Sequence, residues 1–143
     1  MKIIKTLILS IVLILANINI SFSSDRFTAA GIENDVEAVL YFNKIIENIR
    51  NDRKCNIAKE IVFPIYVHID HERKKIVNKK SFIEKYDKIF LDNFKNSILK
   101  QTSDDLFASW QGVSTSAGEI WFSLVKDAES NSWTFKIIAI NNE

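Results

Sequence analysis

The chain has 143 residues, which is enough for one domain with one hydrophobic core. Its composition, with 11% aromatic residues, 3 Gly and 1 Pro, excludes a disordered or low-complexity protein. The formal net charge of +1 gives no support for nucleic-acid binding or for a polybasic membrane patch, since both need a basic face.

The first 23 residues have the layout of a secretory signal peptide. Two lysines precede an apolar run, Thr6 to Ala16, and a more polar stretch ends in small residues before a cut between Ser23 and Ser24. The run is short for a membrane span, which needs about 20 residues. We therefore expect a periplasmic or secreted protein with no membrane span after cleavage; the alternative is an uncleaved N-terminal anchor. Removal of two lysines leaves 17 basic against 18 acidic side chains.

Residues 24–33 have no clear period and are expected to form a flexible lead-in. Asn34 then fits a helix N-cap, with Glu37 three residues on as its reciprocal partner. Apolar residues recur at three- and four-residue intervals to about Arg50, which predicts an amphipathic helix. The predicted apolar positions are Val36, Val39, Leu40, Phe42, Ile45, Ile46 and Ile49.

Asp52 to Glu60 is predicted as a shorter helix, which Pro64 helps to end. Ile65 to Ile69 is β-branched and aromatic and predicts a strand. Asp70 to Arg73 is predicted as a hairpin link, and residues 74–77 as a lysine-rich return strand at a sheet edge.

Asn78 can cap the next helix, in which Phe82, Tyr86 and Phe90 fall on one face. The apolar pattern continues to about Lys100, either as one bent helix or as two.

The last third contains three apolar, aromatic runs, over residues 107–113, 119–125 and 133–140. Gly118 marks the first turn between them, and Asp127 to Ser132 marks the second. We predict an antiparallel meander of three strands, and we interpret the three Trp in it as evidence for a fold rather than for a ligand.

Helices are segregated from an antiparallel sheet in this order of elements, so the predicted class is α+β. The chain resembles the nuclear-transport-factor-2-like superfamily, and more locally the small exported bacterial members of that group. The patterns that carry the resemblance are Phe63-Pro64, Phe82 to Phe90, Trp110 to Val113, Gly118 to Phe122 and Ala139 to Asn141. The resemblance implies one cone-shaped domain over residues 34–143, with N-terminal helices packed on a curved antiparallel sheet and a pocket at the open end.

Alternation places Glu119, Trp121 and Ser123 on one face of a strand. Glu119 beside Trp121 is a candidate pocket mouth or partner surface; the alternative is a solvated Glu and a packing Trp. The opposite face is apolar and is expected to meet the helices; it carries Ile120, Phe122 and Leu124.

Tyr86 is a candidate pocket residue, although a buried Tyr is commonly a hydrogen-bonded core residue. His68 shares a strand face with Tyr66, and His71 follows in the predicted turn. Neither is expected to bind a metal, because consecutive turn residues rarely converge on one ion. The single Cys55 excludes an internal disulfide, and no residue is assigned as catalytic or as cofactor-binding.

Two hypotheses follow. The first is an exported, non-catalytic module that binds an unidentified protein partner or small ligand in the bacterial envelope, with a homodimer as one form. The alternative is a small pocket enzyme of isomerase, dehydratase or hydrolase type, using general acid/base chemistry at Tyr86, His68 and Glu119.

Overall fold

The computed structural model describes residues 25–128 and 130–143. The expected signal peptide and its cut lie outside them. None of the helices in the described part is long and apolar enough to cross a membrane.

The described chain is α+β, with four α-helices and two antiparallel sheets, and this confirms the predicted class. In chain order the elements are α1 (Asp35–Arg50), α2 (Lys54–Glu60), β1 (Ile65–Ile69), β2 (Glu72–Ile76), α3 (Lys79–Ile89), α4 (Asp92–Leu99), β3 (Phe107–Ser109), β4 (Gly112–Ser114), β5 (Ile120–Lys126) and β6 (Trp133–Ile140).

Two predicted helix starts are confirmed by their caps. The Asn34 side chain accepts a hydrogen bond from the Val36 amide and donates one to Glu37. The Asn78 side chain likewise accepts from the Ser81 amide at the start of α3. Both caps satisfy amides that have no partner inside the helix.

The four-stranded sheet is a meander in the order β3-β4-β5-β6, and the hairpin β1-β2 forms the second sheet. Helix α1 packs on the inner face of the meander, where the Tyr41 ring lies 5.3 Å from Phe122 and 5.2 Å from Phe135. A parallel bridge between Ile61 and Ile137 brings the chain before β1 to the free edge of β6.

The core is built mainly from Ile and Phe. On the meander its inner row is Val113, Phe122 and Ile137, each at most 1% exposed and paired across three strands. Because directly opposite residues of an antiparallel ladder share a face, this row fixes the register of the whole sheet.

The prediction for the first meander run is wrong: residues 107–113 are two strands, not one. The chain turns at Trp110 and Gln111, so that Ser109 pairs with Gly112. A run of apolar residues did not reveal this tight turn, because the turn itself contains a Trp, which is 85% exposed.

Two further expectations are corrected. Within residues 25–33, the described part of the expected flexible lead-in, the chain is packed on the domain, since Phe27 and Ile32 are buried in the core and Asp35 accepts hydrogen bonds from the Arg26 and Phe27 amides. Val36 and Leu40, predicted on the apolar face of α1, are exposed, because the helix buries the side that carries Tyr41 and Ile45.

Candidate functional site

Tyr86 lies in the core of the domain. It is 1% exposed and its ring stacks on Phe90, with the ring centroids 4.7 Å apart. Its hydroxyl makes no hydrogen bond of regular geometry among the described residues, and the nearest carboxylate that acts on it is Asp52. Burial, followed by the negative charges of Asp52 and Asp87, raises the pKa of Tyr86 well above its ordinary value. The group is therefore a neutral phenol that could donate a proton only weakly.

A charged cleft lies above the Tyr86 ring. In it Lys95 Nζ is 2.7 Å from an Asp52 carboxylate oxygen, and Lys54 Nζ is 2.7 Å from Asp87. Lys54 Nζ also lies 5.2 Å from the centroid of the Tyr86 ring. These pairs tie the α1–α2 turn to α4 and the start of α2 to α3, and Asp92 lines the same cleft.

His68 lies on β1, and its backbone is held by the C-terminal segment. The Asn142 side chain accepts from the His68 amide at 2.8 Å and donates to the His68 carbonyl at 2.7 Å. The imidazole Nε2 is 3.0 Å from a Glu143 carboxylate oxygen. Asp70 and His71 form the turn that follows, both with positive φ, and they line one cleft together with His68 and Glu143.

Glu119 is held by hydrogen bonds at the start of β5. One of its carboxylate oxygens accepts from Ser97 and Gln101, and the other accepts from Thr115 and the Ala117 amide. Partial burial raises the pKa of Glu119, but the hydrogen bonds from Thr115, its own backbone, Gln101 and Ser97 outweigh it and lower the pKa overall. A carboxylate with both oxygens satisfied in this way supports the turn and is poorly placed to take a proton.

Trp121 lies on the outer face of the meander, away from the helices. The ladder pairs Phe107 with Ser114, Ser114 with Trp121, and Trp121 with Ala139. These four side chains form one row across the sheet, on the face opposite the core row. Phe107 is 56% exposed, Trp121 is half-buried, and Ser114 is buried between them.

The hairpin β1-β2 lies beside the edge of β6, where this row ends at Ala139. A cleft beside the edge of β6 is lined by Tyr66, His68, Arg73 and Ala139, so Tyr66 and the Trp121 partner Ala139 border the same depression. Tyr66 is 47% exposed. We name the surface formed by Tyr66, Phe107 and Trp121, with Ser114 and Ala139 between them, the outer aromatic face.

The structure does not bring the four predicted site residues together. Among the described residues, no hydrogen bond, ion pair or ring contact joins any two of Tyr86, His68, Glu119 and Trp121. Sequence reasoning missed Phe107 because it placed that residue in an unbroken core strand. The signal that could have found it is the short polar break at Ser109 and Gln111.

The interpretation of the Trp residues as packing residues is also corrected in part. Trp110 and Trp133 are 85% and 62% exposed, and Trp121 is half-buried. The large apolar side chains that fill the core are instead Ile, Phe and two Tyr.

Comparison of the chain with protein-family models, with characterised proteins and with solved structures found no match.

Proposed function

We propose that the protein is an exported, non-catalytic module that binds a protein partner through the outer aromatic face. The observation that carries the proposal is the row Phe107–Ser114–Trp121–Ala139, which leaves Phe107 exposed and Trp121 half-buried on the outer face of the four-stranded sheet. Contiguous exposed apolar surface marks interaction sites, and Trp and Tyr are enriched among residues that dominate binding energy.

Rigidity favours a partner surface over a catalytic one here. The face is built on strands whose inner side chains are locked in the core, so binding orders little new chain and costs little conformational entropy. The titratable candidates Tyr86 and Glu119 lie elsewhere and are buried or saturated with hydrogen bonds. A site for acid/base chemistry needs such groups to converge.

Site-specific photo-crosslinking in the producing cell tests the proposal. A photoreactive amino acid at Phe107 should give a discrete adduct with a second protein, and Trp121→Ser should remove that adduct. The control position is Leu40, which is equally apolar and exposed but lies on α1 at the opposite side of the sheet. Equal adducts from both positions, or none from Phe107, would contradict the proposal; an adduct of twice the chain mass would identify the partner as a second copy.

We further propose that the domain is a cone of the nuclear-transport-factor-2-like type. Its support is the order of elements, with α1 packed on the inner face of a meander that follows a helix pair. An experimental structure tests this: the sheet should curve around α1. The small ligand that such a cone could hold is a second form of the binding function.

Export is the third part of the proposal and rests on the composition of residues 1–23. Cell fractionation with mass spectrometry of the purified protein should find it in the periplasm or medium, with Ser24 as its first residue. Retention of the full N-terminus in the membrane fraction would support the uncleaved anchor instead.

One observation favours the alternative, a small pocket enzyme using general acid/base chemistry. The buried Tyr86 hydroxyl makes no hydrogen bond of regular geometry among the described residues and lies near Asp52, so a substrate that opened the charged cleft could accept its proton. Turnover by the purified protein that is lost in Tyr86→Phe, with folding intact, would establish the enzyme. Turnover that survives this change would assign Tyr86 to the core alone.

A further inference from the structure

The outer aromatic face carries two cationic side chains, Arg73 and Lys75, at one end. In the register of the β1-β2 hairpin, Tyr66 pairs with Lys75 and His68 pairs with Arg73. Since Ile65 and Val67 point into the core, Tyr66 and its neighbours on β2 point outward, and Arg73 and Lys75 therefore share the outer face with Tyr66.

Neither cation forms an ion pair with a described residue; the Glu143 carboxylate in the same cleft as Arg73 contacts His68 instead. Among residues 25–128 and 130–143, no carboxylate forms an ion pair with Arg73 or Lys75, whereas Lys74, on the opposite face of the same strand, pairs with Glu72. Arg73 and Lys75, which form no ion pair with a described residue, therefore lie on one face of β2, and the paired Lys74 lies on the other. We name Arg73, Lys75 and Tyr66 the positive edge.

The Arg73 guanidinium is already oriented for binding. Its central carbon lies 4.1 Å from the centroid of the Tyr66 ring, the distance of a stacked cation–π contact. Stacking holds the planar group while leaving its N–H donors available at their edge. A held guanidinium fork matches a carboxylate, which it can bind through two parallel hydrogen bonds.

The number of cations indicates which class of partner this surface fits: a nucleic acid, an anionic membrane or an acidic protein segment. Nucleic-acid affinity rises with the number of phosphates neutralised, and an anionic membrane surface attracts clusters of about 4–8 cations. The positive edge offers two, on a chain that would have 17 basic against 18 acidic side chains after removal of residues 1–23. Two cations beside an aromatic surface fit a protein segment that combines carboxylates with apolar side chains.

We propose that the positive edge binds an acidic segment of the protein partner, with Arg73 and Lys75 contacting its carboxylates while Trp121 and Phe107 cover its apolar side chains. This inference rests on the proposed function and specifies the chemistry of the partner. Complementary charge at the rim of an apolar patch sets orientation and speeds association.

The test measures binding of purified protein, expressed from the full chain, to a synthetic peptide of alternating Glu and Trp residues. The same peptide with Gln for Glu is the uncharged control. We expect Arg73→Gln and Lys75→Gln each to weaken binding of the Glu peptide about tenfold, since each removes a charge-assisted contact. Lys74→Gln, on the other face of β2, should change it less than about twofold.

Salt and competing probes complete the experiment. Binding should weaken in about 1 M salt, where the length over which charges interact falls to about 3 Å. Equal binding of the Gln peptide, equal loss in Lys74→Gln, or no binding would overturn the inference. Tighter binding of a single-stranded oligonucleotide or of phosphatidylserine vesicles would overturn it in favour of those partners, and self-association in light scattering that Arg73→Gln abolishes would assign the edge to a second copy.

Failure here is distinguishable from failure of the proposed function. If the position-107 adduct forms and depends on Trp121 but is unaffected by Arg73→Gln, the partner surface stands and the acidic segment is wrong. If no adduct forms at position 107, the proposed function itself fails.

Discussion

The side-chain amide of Asn142 brackets the backbone of His68, accepting from its amide and donating to its carbonyl. The same nitrogen donates to the Ile89 carbonyl at 3.1 Å. One side chain thus replaces a missing strand partner for β1 and ties the end of α3 to it. Backbone groups left without such a partner at a strand edge are costly when buried.

Asn142→Ala should lower the free energy of unfolding by about 2 kcal/mol, because three hydrogen bonds are lost and the His68 amide is left unpaired. Chemical denaturation followed by Trp fluorescence measures this. Glu143→Ala, which removes only an exposed contact between a carboxylate and the His68 ring, should change stability by less than about 0.5 kcal/mol. Equal effects of the two substitutions would show that the hydrogen bonds from Asn142 to the His68 backbone do not stabilise the fold.

Glu119→Gln should destabilise the fold by about 1–2 kcal/mol at neutral pH, because its single NH2 group must replace an oxygen that accepts from either Thr115 or Gln101 and would then face a donor. The lowered pKa of Glu119 gives the pH dependence its sign. Its contribution is present above the unfolded-state pKa of about 4.3 and is lost as the pH falls through the lower folded-state pKa.

Denaturation midpoints at neutral and acidic pH should therefore converge for wild type and Glu119→Gln as the pH falls. Glu84→Gln, at an exposed position on α3, is the matched control and should follow the wild type throughout. A gap between wild type and Glu119→Gln that stays constant with pH would mean that the charge of Glu119 is not involved.

Tyr41→Phe and Tyr86→Phe should leave stability at neutral pH unchanged or slightly higher, since neither hydroxyl makes a hydrogen bond of regular geometry in the described part of the chain. Burial raises the pKa of both, followed by the charge of Glu60 for Tyr41 and of Asp52 for Tyr86. Their stabilising contribution is therefore complete below the unfolded-state pKa of about 10 and declines as the pH rises above it.

The double variant Tyr41→Phe/Tyr86→Phe should accordingly resist alkaline unfolding better than the wild type, as measured by circular dichroism above about pH 10. Tyr66→Phe, whose ring is 47% exposed, is the control and should not alter the alkaline transition. A large loss of stability in either buried variant at neutral pH would contradict this prediction and indicate that the hydroxyl is hydrogen-bonded, to Glu60 for Tyr41, to Asp52 for Tyr86, or to a buried water.

Gly112→Ala should destabilise the fold by more than about 2 kcal/mol. Gly112 has φ +137°, and a Cβ at this position would lie 2.6 Å from the Phe122 carbonyl oxygen, inside the β4–β5 ladder. Gly31→Ala is the control that separates backbone strain from steric overlap, because Gly31 also has a positive φ but has open space where a Cβ would lie. We expect Gly31→Ala to cost less, by thermal denaturation; the reverse order would be inconsistent with the close approach of β4 to β5.

Much of the fold could be predicted from the sequence because its signals are local. Asn34 and Asn78 predict helix starts because an Asn side chain can cap the first amides of a helix. Gly118 predicts a turn because Gly readily adopts a positive φ, which is 77° here. The alternation of β5 correctly assigned Ile120 and Phe122 to the core and Trp121 to the opposite face.

The candidate site could not be predicted because it depends on pairing between distant strands. Nothing near Phe107 in the chain indicates that it shares a row with Trp121, since the row exists only through Ser114 and the turn at Trp110. Likewise, the order of the elements that carry the four predicted site residues can be predicted from the sequence, but the distances between those elements cannot.

The sequence by itself determined the class of fold, the helix caps and the alternation of buried and exposed positions, because these follow from residue types a few positions apart. Only the tertiary structure decided which apolar residues stay exposed, that Glu119 is saturated by donors from α4 and its own turn, and that Arg73 lies unpaired on Tyr66. The physical reason is that burial and charge pairing depend on which elements pack together, and packing is settled by the whole core at once.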